Sequence, residues 1–134
     1  MRRWGAVADD AVSVLVVDDQ PPFRTAAKSV VRVTPGFDVV GEAETGEDAL
    51  EQVEALKPKL VLLDINMPGI TGIEAARRIC QAHPEVKVIL LSTYVADDLP
   101  ADARTCGAAA YVNKEQFGPQ VLRDVWDGKA ATLT

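Results

Sequence analysis

The 134-residue chain contains no apolar run near the roughly 18 residues that a membrane-spanning helix needs, its longest runs being strand-sized stretches such as Val14 to Val17. Membrane insertion is therefore not expected. Basic residues are also in short supply: 14 Lys and Arg stand against 20 Asp and Glu, a net charge of −6. That balance argues against unassisted binding to polyanionic nucleic acid and favours protein, cation or small-molecule partners. Cysteine is nearly lacking. Cys80 and Cys106 have neither CxxC spacing nor a set of four ligands, so they read as two reduced, part-buried thiols inside helical stretches. The single histidine, His83, precedes Pro84 and falls at the amino-terminal edge of the next strand, a poor place for a phosphotransfer histidine. No secretory leader is expected, because Asp9 and Asp10 interrupt the place where the basic start Met1-Arg2-Arg3-Trp4 would need an apolar stretch. The expectation is a cytoplasmic protein with a mobile arm over residues 1–11, one domain over residues 12–128 and a short tail over residues 129–134.

What is present is close to the globular average, with 48% hydrophobic and 25% charged residues, enough for one core and too little chain for two. Short β-branched runs alternate with segments of helical period. Val12 to Val17 is a nearly continuous apolar run ending at Asp18-Asp19, as for a strand covered on both faces. Pro21 and Pro22 suit a first helical turn, and Phe23, Ala26, Ala27, Val30 and Val31 mark an apolar helix face that stops at Thr34-Pro35-Gly36. Phe37 to Ala43 reads as strand, and Thr45 to Asp48 as a capping box opening a helix whose apolar face is Ala49, Leu50, Val53 and Leu56. Leu60 to Asp64 is a buried strand, Thr71 to Glu74 a second capping box, and Val86 to Ser92 the fourth strand. A weaker helix over 98–106, a strand over 109–113 and a helix from Pro119 to Asp127 complete five β-α units. Helices of about 10 to 15 residues between strands require crossover connections, so the fold class is α/β: a five-stranded parallel sheet, doubly wound, with helices on both faces.

In such sheets ligands bind outside the carboxyl ends of the strands. Asp18 and Asp19 end the first strand, Asp64 the third and Ser92 the fourth, while Lys114 follows the fifth. Core formation needs no carboxylates there. Three gathered at one edge repel one another, and a hard divalent cation such as Mg²⁺, with Mn²⁺ an acceptable substitute, relieves the repulsion. An ammonium and a hydroxyl opposite could then hold a tetrahedral anion, an arrangement suited to phosphoryl transfer, with an Asp forming an acyl phosphate.

Over residues 12–128 the chain resembles the receiver domains of two-component response regulators. The resemblance rests on Val16-Val17-Asp18-Asp19, Leu62-Leu63-Asp64-Ile65-Asn66-Met67-Pro68-Gly69, Leu90-Leu91-Ser92 and Tyr111-Val112-Asn113-Lys114, all in order. It implies the flavodoxin-like (βα)5 receiver fold. It implies further that Asp64 accepts phosphate from a sensor histidine kinase, a phosphotransfer protein or a small phosphodonor. Asp19, Asp64 and the backbone carbonyl of Asn66 would ligate Mg²⁺, with Asp18 acting through a bound water. Lys114 would pair with the phosphoryl group, and Ser92 would move toward it and let Tyr111 change rotamer. The signal would then reach a surface running from the expected helix over 98–106 through the fifth strand to the last helix, where an unknown downstream protein or a second copy would dock. Such a protein catalyses its own phosphorylation and dephosphorylation but turns over no separate substrate. Glu115, in place of a frequent proline, and the phrases Leu91-Ser92-Thr93-Tyr94 and Gly36 to Ala43 resemble receivers of NarL/LuxR-type regulators. With few residues beyond the last helix, a stand-alone receiver is expected.

Other classes fit less well. A haloacid-dehalogenase-type phosphatase needs an Asp-x-Asp, whereas here the acids are adjacent. A flavodoxin-like electron carrier would place Ser or Thr where residues 18–22 offer carboxylates and prolines. A receiver-like module that binds proteins without phosphate is the remaining alternative.

Overall fold

A computed structural model describes residues 11–67, 69–93 and 105–128. The elements run β1 (Val12–Val17), α1 (Pro21–Val33), β2 (Phe37–Ala43), α2 (Gly46–Leu56), β3 (Leu60–Asp64), α3 (Gly72–Ala82), β4 (Lys87–Ser92), β5 (Ala110–Asn113) and α4 (Pro119–Trp126). All strand pairings are parallel, in the order β2-β1-β3-β4-β5. The sheet grows from β1 outward to β2 on one side and to β3 on the other. That reversal opens a crevice between the carboxyl ends of β1 and β3, the place where doubly wound sheets bind ligands.

The period-two rule sorts the core into two layers. Val14, Val16, Leu60, Leu62, Ile89, Leu91 and Val112 face Ala27 and Val31 of α1 and Leu122 and Val125 of α4. Their neighbours in the strands, Leu15, Val17, Val61, Leu63, Val88, Leu90 and Tyr111, face Ala49 and Val53 of α2 and Ile73, Ala76 and Ile79 of α3. Covering on both faces explains why the central strands read as unbroken apolar runs rather than alternating ones.

The helix starts follow their caps. Thr45 accepts the Asp48 N–H at 3.0 Å, and Thr71 accepts the Glu74 N–H at 3.1 Å, each satisfying an amide that the helix leaves open. The carboxylate of Glu74 takes Arg77 and Arg78. Prolines occupy the first turns of α1 and α4. Thr34 closes α1 by donating its hydroxyl to the Val30 carbonyl at 2.6 Å, and Gly36 turns the chain with φ +89°.

Several expectations need adjustment. The helix expected over 98–106 falls mostly on residues 94–104, outside the described residues, as do the tail over 129–134 and all but Ala11 of the expected arm. Cys106 is buried but lies outside any helix, in the turn leading to β5. Cys80 does lie in α3, where its Sγ donates to the Gly107 carbonyl at 3.3 Å, and neither cysteine is in a disulfide. Phe23, counted on the buried face of α1, is 38% exposed; it sits in the first turn, beyond the sheet edge that Ala27 and Val31 cover. Leu56 is similarly exposed at the end of α2. Among the described residues no helix is long and apolar enough to cross a membrane.

Candidate functional site

The crevice between β1 and β3 is lined by acids because each strand ends on one. Asp18 follows β1, and its Oδ1 accepts the Gln20 N–H at 2.9 Å while its carbonyl accepts Arg24 Nη1 at 2.7 Å. Arg24 is itself held by Glu42 on β2, at 2.8 Å. Asp64 ends β3, and its Oδ1 accepts the Asn66 N–H at 3.3 Å. Both carboxylates are buried, and Asp19 beside them is partly exposed. Carboxylate oxygens of Asp18, Asp19 and Asp64 all lie within 4.8 Å of one another.

Lys114 approaches from β5. Its backbone N–H donates to the Ser92 carbonyl at 2.8 Å, so the loop leaving β5 is pinned to the end of β4. The ammonium lies 2.8 Å from Asp18 Oδ2 and 3.3 Å from Asp64 Oδ1, with the side chain only 6% exposed. The Phe23 ring covers it, centroid 4.1 Å from Nζ. One ammonium among three carboxylates leaves the site acidic. Burial, and then the neighbouring Asp18 charge, push the Asp64 carboxyl up to about 6, against the opposing pull of Lys114 and the Asn66 N–H. The donors are hard oxygens, crowded and under-neutralised, which is the chemistry of a Mg²⁺ or Mn²⁺ site.

Ser92 is fully buried at the end of β4, and Tyr111 is 6% exposed within the α2–α3 layer. Tyr111 pairs with Leu90, and Leu90 and Ser92 are two residues apart on one strand, so all three share a face of the sheet. The two expected switch residues are thus diagonal neighbours on one face. Asn66 is exposed in the loop after β3. His83, set aside on sequence grounds, caps α3 at the opposite edge and meets Glu54 of α2.

Sequence reasoning overlooked three residues at the site. Phe23 was counted as core, Arg24 was not singled out, and Gly72 was treated only as part of a cap. A Cβ at Gly72 would stand 2.0 Å from the Asp64 carbonyl oxygen, so α3 can start against β3 only with glycine there. The signal for Phe23 was its position, one helical turn after Asp19 at the site's own edge.

Comparison with known proteins decides the family. The family model for the response regulator receiver domain matches residues 14–126. The chain belongs to the response regulator receiver family. This receiver is 37% identical over 119 residues to the transcriptional regulatory protein DegU of Brevibacillus brevis, covering 89% of this chain and 50% of that protein. It is 40% identical over 122 residues to the response regulator GacA of Pseudomonas aeruginosa, covering 88% of the chain and 56% of GacA. The receiver therefore spans about half the length of the curated relatives it matches, and the stand-alone expectation draws no support from them. Among solved structures, the signal receiver domain of the response regulator NarL from Mycobacterium tuberculosis is similar at TM-score 0.79 and 32% identity, covering 90% of this chain and 97% of that one. A CheY-like receiver from Methanospirillum hungatei shares the fold at TM-score 0.76, over 89% of this chain and 93% of that one. The likeness to regulators of the NarL/LuxR kind holds, and the receiver is a phosphoacceptor signalling domain of two-component systems.

Proposed function

We propose that Asp64 is the phosphoacceptor. The observation that carries this reading is the Lys114 ammonium bridging Asp18 and Asp64 beside a third carboxylate at the switch point of the sheet. An Asp64 oxygen attacks the phosphorus of a phosphohistidine on a sensor kinase or phosphotransfer protein, the P–N bond breaks, and the imidazole leaves with a proton. With a small donor such as acetyl phosphate, the P–O bond breaks and acetate leaves. Lys114 sits where it can exchange its Asp64 contact for a phosphoryl oxygen, a charge-assisted donor aimed at developing charge. Asp19, Asp64 and the Asn66 carbonyl would hold Mg²⁺ or Mn²⁺, with Asp18 acting through a bound water. Bound there, the cation supplies charge neutralisation for the incoming phosphoryl group. The same site returns the group to water, so the receiver catalyses both its own phosphorylation and its own dephosphorylation.

Ser92 then moves toward the phosphoryl group, and Tyr111 adjusts beside it. The altered face of β5 and α4 is read in the cytoplasm by a downstream protein or by a second copy of the chain. The acidic balance gives direct nucleic-acid contact no support. Radiolabelled acetyl phosphate tests the reading. Label should enter only with Mg²⁺ present, and Asp64→Asn should abolish it. Undiminished labelling of that variant would move the acceptor elsewhere, and an unlabelled parent protein would favour the phosphate-independent binding module.

A further inference from the structure

The Lys114 ammonium has three donors and almost no water. Two directions are taken by Asp18 Oδ2 and Asp64 Oδ1, at 2.8 and 3.3 Å, and a third side meets the face of Phe23, 4.1 Å from the ring centroid. A ring attracts an ammonium through its quadrupole without accepting a directed hydrogen bond as an oxygen would. It therefore holds the cation in place without competing with the acceptor oxygens on the other side. The ring also walls a cavity of about 50 Å³ that includes Asp18, Lys114, Leu91 and Phe117 in its lining, between the first turn of α1 and the loop leaving β5. Phe23 is 38% exposed and belongs to neither core layer. Its contact with Lys114 is the role its position supports, because packing of α1 rests on Ala27 and Val31.

We propose that Phe23 is a positioning residue for phosphoryl acceptance: its ring face fixes Lys114 against the Asp18–Asp64 pair and keeps water from the ammonium. The proposal rests on the reading of Asp64 as phosphoacceptor. An aliphatic side chain of similar size would fill the space but supply no ring face, whereas another aromatic would supply both. That difference separates positioning from simple packing.

The experiment measures the rate constant of Mg²⁺-dependent phosphorylation by acetyl phosphate, as a function of donor concentration, in Phe23→Leu, Phe23→Ala, Phe23→Tyr and Phe23→Trp. Mg²⁺ affinity and melting temperature are measured alongside. Leu and Ala should lower the maximal rate constant roughly three- to tenfold, the scale of a partly desolvated cation–π contact, while Tyr and Trp restore it. Half-saturating donor concentration, Mg²⁺ affinity and melting temperature should stay close to parental values, as befits an exposed residue outside the cation's ligands. A Leu variant as fast as the parent overturns the proposal and leaves Asp64's role standing. Slowing that tracks lost Mg²⁺ affinity or lost stability overturns it equally. A parent protein that takes no label overturns the phosphoacceptor reading and the proposal with it.

Discussion

At the scale of single residues, Asp64 is pulled two ways: the crevice buries it beside Asp18, which favours the proton, while Lys114 and the Asn66 N–H favour the charge. The first influence wins, and the carboxyl titrates at about 6 against an ordinary value of 3.8. In metal-free protein the folded state then holds one more proton than the unfolded chain between those values. Stability contributed by this group is present below about 4, is lost as pH rises toward 6 and is level above. Melting in chelator from pH 4 to 7 should show that decline, and Asp64→Asn should flatten it while melting higher than the parent at pH 7. A parental slope retained in the variant would assign the decline to another group. Lys114 gives a second prediction. Its charge opposes a cation but complements a phosphoryl group, so Lys114→Ala should bind Mg²⁺ as tightly or more so, yet accept phosphate at least about tenfold more slowly. Weaker Mg²⁺ binding in a folded variant would count against this division of labour. The positions of these residues were legible in the sequence because each stands at or just past the carboxyl end of an apolar strand. Phe23 was not, since an aromatic at helical spacing reads the same whether it packs on a core or over an ammonium.

Among the elements, strands and caps were the most readable. β1, β2 and β3 have the bounds that the sequence predicts, and the two threonine caps sit where the Thr-x-x-acid spacing puts them. Local chemistry fixes such boundaries. The close approach of α3 to β3 is different, because it depends on residues eight positions apart meeting in space. The Gly72 N–H donates to the Ile65 carbonyl at 2.8 Å, and a Cβ at Gly72 would stand 2.0 Å from the Asp64 carbonyl oxygen. Gly72→Ala should therefore push the start of α3 off the strand carrying Asp64. Its expected cost is about 1–3 kcal/mol, the range of overpacking strain, read as a lower urea midpoint at unchanged slope. Because Asp64 and its loop move with that strand end, Mg²⁺ affinity should fall too. A variant with parental stability and affinity would show that the helix start can slide freely.

For the molecule as a whole, the site and the face opposite α1 are joined through β4 and β5. Ser92 and Leu90 alternate along β4, Leu90 pairs with Tyr111, and the Lys114 amide is fastened to the Ser92 carbonyl. A dianionic phosphoryl group on Asp64 would offer new acceptors to the Ser92 hydroxyl and to Lys114 at once, and both residues stand at the end of the same strand pair. A displacement of Ser92 is expected to reach Tyr111 through Leu90, which pairs with the tyrosine and packs with it beside Val88, Met67 and Cys106, where interiors shift between discrete arrangements rather than deform smoothly. Tyr111 follows in the chain the turn at 105–108, where Thr105 and Gly107 are exposed, so the change has a short route to the surface. Coupling of about 1–3 kcal/mol is typical of such devices and would alter partner affinity some 5- to 150-fold. Amide exchange with and without phosphorylation should therefore change along β5, through the turn at 105–108 and into the loop before α4, while β2 and α2 stay as they were. Substituting Tyr111→Ala should leave phosphate uptake at Asp64 within about twofold while cutting the exchange response beyond β5, since the proposed route puts the tyrosine downstream of the chemistry. Exchange changes limited to the loops after β1 and β3 would mean that phosphate alters the site without being transmitted. A full response in Tyr111→Ala would place the route through another residue of the same face.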